Sequence, residues 1–209
     1  MIKALEALGP FDTVMDVGGN VGEFAAQAHT LWTGAKIISF EPIPDCALRN
    51  FYRANGRWDV VEVAISDEDG FATLNVCENQ PSASSMQPAG TVRKEMFRIG
   101  DYFTPIEVKT ELLDHYFGYI EGKTLLKIDV EGHEGKVLAG AEKVLSKVNT
   151  VIIECQQLPT VFLGSPSVEG IDWILRQRGL FFAGVIGSLA EPGGEIVQFD
   201  GVWRRYEGG

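Results

Sequence analysis

The stretch DTVMDVGGNVGEF, residues 12–24, decides the fold. Its first half is a short apolar run stopped by glycine, the pattern of a buried strand. Its second half opens a helix, because Val21, Phe24, Ala25, Ala28, Leu31 and Trp32 recur on one face of a 3.6-residue period. Downstream, AKIISF (35–40) reads as a second strand and 45–55 as a second helix, with Asp45 as N-cap and Gly56 as stop. VVEVAIS (60–66) reads as a third strand. The order β-α-β-α-β predicts a parallel sheet with right-handed crossovers.

Further strands are expected at FATLNV (71–76), IEVKTEL (106–112), TLLKIDV (124–130) and TVIIEC (150–155). Helices are expected at 112–119, through Val137, Leu138, Ala141, Val144 and Leu145, and at 168–178. LFFAGVI (180–186) and EIVQFDGVW (195–203) suggest a terminal antiparallel pair. Residues 78–100 are rich in Ser, Pro and Gly and aperiodic, as a lid, a binding loop or a tolerated surface insertion would be. With no linker in sight, residues 1–209 are read as one α/β domain with helices on both faces of a mostly parallel sheet.

Composition narrows the function. The chain has 209 residues and a formal net charge of −11, from 18 Lys+Arg against 29 Asp+Glu. That balance excludes a nucleic-acid backbone as partner and disfavours an anionic membrane. No apolar stretch is long enough to span a bilayer, and MIKALEALGPFD is no signal peptide. Cys46, Cys77 and Cys155 are odd in number and widely spaced, as in a cytoplasmic protein with reduced, buried thiols.

Asp16, Gly18, Gly19, Asn20 and Gly22 occupy the turn after the first strand, where open parallel sheets bind ligands. The adjacent glycines do not make G-x-G-x-x-G, and no Gly-Lys-Ser/Thr follows, which tells against a nicotinamide dinucleotide and a P-loop. A carboxylate beside the glycines suits a nucleoside ligand bearing an ammonium and a sulfonium, as S-adenosylmethionine does. Glu41, before Pro42 at the end of the second strand, suits a ribose diol. Ser66 and Asp67, ending the third, suit an adenine edge, or equally a simple turn.

The segment LLKIDVEGHEGKVLAGA (125–141) is the densest polar run. Lys127 lies inside a buried strand and needs a partner, with Asp129 or Glu154 the natural ones. His133 has the titration range of a general base. Asp129, Glu131, His133 and Glu154 form a chemically admissible divalent metal site, but the spacing follows no ligand rule and none is favoured. Trp58, Trp173 and Trp203 are available to line a sugar groove.

Taken in order, DVGGNVGEF, SFEP, VAISDEDGFATL, ASSM, IEVKTELLD, LLKIDVEGHEGKVLAGA and VIIEC resemble the FkbM-type methyltransferases over roughly residues 12–156. The resemblance implies a class I methyltransferase fold of seven strands, the last antiparallel. It also implies S-adenosylmethionine as cofactor and O-methylation of a sugar, polysaccharide or natural-product hydroxyl. By it, Asp16, Gly18, Asn20 and Gly22 would surround the methionine part, Glu41 the ribose and Asp67 the adenine, with Asp129 and His133 facing the methyl. Glu131 joins the catalytic set and Gly19, Pro42 and Ser66 the cofactor set as their neighbours. Many members carry extra N-terminal helices, so another segment or a partner subunit is expected to complete the acceptor pocket. The competing reading is a non-catalytic module that holds the same ligand; oligomeric state stays open at this stage.

Overall fold

In the computed structural model, which describes residues 2–78, 80–87, 103–157, 164–190 and 193–206, ten strands and six α-helices alternate along the chain. The strands are β1 (Thr13–Val17), β2 (Lys36–Phe40), β3 (Asp59–Val61), β4 (Ala64–Ser66), β5 (Gly70–Cys77), β6 (Phe103–Leu112), β7 (Thr124–Ile128), β8 (Thr150–Gln156), β9 (Leu180–Ala190) and β10 (Ile196–Arg205). The helices are α1 (Ile2–Glu6), α2 (Glu23–Leu31), α3 (Pro44–Ala54), α4 (Glu134–Ala139), α5 (Glu142–Lys147) and α6 (Val168–Arg176). A 3-10 helix fills 113–119.

Seven strands form one sheet in the order β3-β2-β1-β7-β8-β10-β9. All neighbours from β3 to β8 are parallel, and β10 runs antiparallel to both β8 and β9. The chain order reverses between β1 and β7, which opens a crevice at their carboxyl ends. Period-two alternation divides the core. Met15, Val17, Ile38, Phe40, Leu126 and Ile128 face α4, α5 and α6, while Val14, Ile37, Leu125 and Ile152 face α1, α2 and α3.

Three local expectations change. The run 60–66 is two strands. Val61 O is taken by the N–H groups of Glu41 and Val63, so the chain turns there, and β4 leaves to build a second sheet, β4-β6-β5. The helix expected through 137–145 is broken, because the Asp114 carboxylate accepts from the N–H groups of Lys143 and Val144 and so caps a new start. Asp45 is not an N-cap: Ile43 holds that position, Pro44 follows at the first helical residue, and Asp45 lies in the first turn. Of the irregular segment 78–100, residue 79 and residues 88–100 lie outside the described residues.

Candidate active site

The glycine turn is stitched to the end of β2. The N–H groups of Gly18 and Gly19 donate to Phe40 O at 3.0 and 2.9 Å. Its glycines make room for protein as well as for a ligand. A Cβ on Gly18, at φ +83°, would stand 1.8 Å from Asp129 O, and one on Gly19 would stand 1.8 Å from Ser39 Oγ. Gly22 precedes α2.

Beneath Gly19 runs a buried polar chain. Trp58 Nε1 donates to Asn50 Oδ1 (2.9 Å), Asn50 Nδ2 to Ser39 Oγ (3.0 Å), and Ser39 Oγ to Asp16 Oδ2 (3.0 Å). Asp16 is fully buried and lines neither cleft described below. Its Oδ1 accepts no hydrogen bond among the described residues and sits 3.8 Å from Lys127 Nζ. Burial pushes its carboxyl above the usual range, against the pull of Lys127 and Ser39. The sequence singles out neither Ser39 nor Asn50, and offers Trp58 only as a wall for a sugar groove. The available signal was register, since Ser39 lies directly opposite Asp16 on the paired strand.

Glu41 sits at the rim. Its Oε2 accepts from Asn20 N at 2.7 Å and its Oε1 from Ile43 N at 2.8 Å. Burial pushes its carboxyl up from 4.5 to about 7, with the two N–H groups opposing and Asp16 and Asp129 adding. Glu41 and Pro42 border a first cleft of about 680 Å³, walled by Phe40, Ile43, Val63, Ile65, Leu74 and Met86 and edged by Gly18, Asn20, Ser82, Asp129 and Glu131. A second cleft of about 810 Å³ shares Gly18, Asn20, Ser82 and Asp129 with the first. It adds Leu5, Gly19, Phe24, Lys127, Ile186 and Asp200. Ser82, on a 3-10 turn at Pro81–Ala83, brings the described part of the Ser-rich loop onto both clefts.

The second acidic run arrives from β7. Asp129 N donates to Val17 O at 3.0 Å, which fixes the loop beside β1. Lys127 Nζ lies 3.0 Å from Asp129 Oδ2; of the two partners expected for it, the structure selects Asp129, with Asp16 as the second. Glu131 adopts φ +54°, uncommon for a residue with a Cβ. Carboxylate oxygens of Asp129, Glu131 and Glu154 lie within 4.8 Å of one another.

His133 is not in that group and lines neither cleft. Its Nε2 lies 3.0 Å from Ser66 Oγ and its Nδ1 3.4 Å from Gln87 Nε2. The chemistry assigns the direction: Gln87 donates to Nδ1, Nε2–H donates to Ser66, and Ser66 donates to Asp67 Oδ1 at 3.1 Å. Asp67 also pairs with Lys136 at 2.5 Å. Burial lowers the imidazole to about 4, against Asp67 and with Lys136, so it is neutral near pH 7. Ser66, Asp67 and His133 therefore form one network behind the cleft wall. Trp58 and Trp203 are buried and Trp173 is exposed on α6, and none of them lines either cleft.

The fold has counterparts in known proteins. The chain is 30% identical to the 2-O-methyltransferase NoeI of Sinorhizobium fredii, over 69% of its own length and 63% of the relative's. It is 33% identical to the 31-O-demethyl-FK506 methyltransferase FkbM of Streptomyces tacrolimicus, over 65% and 61%. It thus spans about three-fifths of these curated relatives. Among solved structures, Methyltransferase FkbM from Methylobacillus flagellatus superposes with a TM-score of 0.55 at 16% identity, over 91% of this chain and 43% of that one. The Burkholderia thailandensis 1,6-didemethyltoxoflavin-N1-methyltransferase, with bound 1,6-didemethyltoxoflavin and S-adenosylhomocysteine, superposes at 0.51 with 11% identity, over 99% and 78%. These structures share the class I methyltransferase fold. The family model of the methyltransferase FkbM domain matches residues 16–181, from the buried Asp16 to the start of β9, and the chain belongs to that family.

Proposed function

We propose that the chain binds S-adenosylmethionine along the first cleft and methylates a hydroxyl of a sugar, polysaccharide or natural-product acceptor held in the second. One observation carries this reading: Glu41, fixed by two backbone N–H groups, rims an apolar cleft whose described lining contains no Lys or Arg. That chemistry fits a nucleoside with a free ribose diol and no phosphate. Relatives named for O-methylation, and another named a hexuronic acid methyltransferase, support an oxygen acceptor of this class.

When bound, the cofactor supplies an electrophilic methyl on a sulfonium. The chain does the rest. Glu41 accepts the ribose hydroxyls, and Gly18, Asn20 and Pro42 line the same cleft, while Gly19 lines the second cleft and Gly22, outside both, shapes the turn. Asp129, shared by both clefts, faces the transfer region with Glu131 beside it, and one of these carboxylates accepts the hydroxyl proton as the acceptor oxygen takes the methyl. Asp16 acts from below by holding the loop. Ser66, Asp67 and His133 act through the wall rather than by touching the ligand. Residues 1–209 work as one domain in this reading, supported by the two cores that share one sheet. A cytoplasmic location is supported by three buried, unlinked cysteines; no described helix is long and apolar enough to cross a membrane.

The engaged, weakly basic His133 favours one second reading, a module that holds the cofactor without turnover. Calorimetry with S-adenosylhomocysteine tests both readings, and loss of binding defeats both. Mass spectrometry of sugar and hydroxylated acceptors after incubation with S-adenosylmethionine separates them: a gain of one methyl establishes the enzyme.

A further inference from the structure

We infer that Asp129, Glu131 and Glu154 form a site for a hard divalent cation, of the Mg²⁺ or Mn²⁺ class, beside the wall shared by the two clefts. One carboxylate oxygen from each lies within 4.8 Å of the others. Opposite ligands of such an ion stand about 4–5 Å apart, and all three donors are the hard oxygens it prefers.

A cluster of acids alone would be a solvated rim. The second observation is Glu154 itself, which keeps only 9% of its surface. Its Oε1 accepts from Gln198 Nε2, and its Oε2 is buried with no hydrogen-bond partner among the described residues. Gln198 Oε1 is likewise buried with no hydrogen-bond partner among the described residues. No described cationic side chain pairs with Glu154, because Lys127 is committed to Asp129 and Asp16. Glu134 and Asp200 add further negative charge from the neighbouring helix start and from β10. A buried carboxylate oxygen with no donor, aimed among like charges, is costly unless a cation or a proton meets it.

The ion has a chemical consequence that rests on the methyltransferase reading, whereas its binding does not. An acceptor presenting two neighbouring oxygens, as a sugar diol or a hydroxy acid does, completes the ion's shell. A hydroxyl bound there gives up its proton at lower pH. The site then needs no strong base, in keeping with His133 standing outside the clefts.

The test is a titration of the full chain with Mn²⁺ alone, followed by the loss of the free-ion electron paramagnetic resonance signal. One saturable site is expected, with a dissociation constant below about 1 mM and displaceable by Mg²⁺. Glu154→Gln and Glu131→Gln should each weaken it by at least about tenfold. Glu142→Gln, on exposed α5, should leave it unchanged. Cooperative thermal unfolding checks each variant, and Glu131→Gln decides the matter if Glu154→Gln does not fold. Absence of a saturable site, or wild-type Mn²⁺ binding by the folded variants, overturns the inference. Calorimetry with S-adenosylhomocysteine in chelator keeps the two questions apart. Cofactor binding without Mn²⁺ binding overturns the cation alone, and Mn²⁺ binding without cofactor binding supports the cation and defeats the reading of the clefts.

Discussion

Replacing Glu41 by glutamine should make the ligand-free protein relatively more stable at high pH and a poorer binder above about pH 7, where the carboxylate is charged. The carboxylate is 5% exposed and is raised by burial from 4.5 to about 7. The native state therefore holds this proton more tightly than the unfolded chain does. Its stabilising contribution is complete below about pH 4.5 and is lost as pH climbs through about 7. Integrated between about pH 5 and pH 8, the loss is about 2.5 kcal/mol. Glutamine removes that titration. It also points an amide donor at the N–H of Asn20 or Ile43, which costs about 1–3 kcal/mol, but at both pH values alike. The difference in ΔΔG between the two pH values isolates the charge, and urea unfolding of wild type and Glu41→Gln measures it. The proposed ribose contacts lose a charged acceptor worth about 1.5–3 kcal/mol, so S-adenosylhomocysteine should bind roughly tenfold to a hundredfold more weakly. An identical ΔΔG at both pH values would falsify the buried-charge argument, and unchanged affinity would remove Glu41 from the ligand site.

Three other perturbations probe the rest of the site. His133→Ala should leave S-adenosylhomocysteine affinity within about threefold and lower turnover by less than the roughly 10²–10⁴ expected for loss of a general base. A larger drop in a folded, cofactor-binding variant would restore His133 as the base. Gly18→Ala forces a Cβ at φ +83° to within 1.8 Å of Asp129 O, so the urea midpoint should fall by the equivalent of several kcal/mol, on the order of 3 or more. A wild-type midpoint would mean that the turn moves away freely. Burial works against the Lys127 charge, but Asp129 and Asp16 outweigh it and hold the ammonium above the ordinary lysine value. Lys127→Met should cost about 3–5 kcal/mol near pH 8, and less near pH 5, where Asp16, its carboxyl raised by burial, can take up a proton. Equal costs at the two pH values would show that this carboxylate does not depend on Lys127.

The sequence by itself determined the frame. Strand and helix periods are properties of consecutive residues, so the β-α-β-α-β start, the terminal antiparallel pair and the acids at strand ends could be read without coordinates. So could the family resemblance, because its motifs are contiguous. Only the tertiary structure decided which of those acids line the clefts. Asp16 and Glu41 both end strands, yet the first is sealed under Gly19 by Ser39 and Asn50 while the second rims the cleft. His133 and Asp129 lie four residues apart, yet one turns back to Ser66 and the other lines both clefts. Glu154 meets Asp129 and Glu131 only because β7 and β8 are neighbours in the sheet. The physical reason is common to all three. Hydrogen bonding and charge act through space, and a side chain takes the partner that packing between distant segments presents, which no local pattern records.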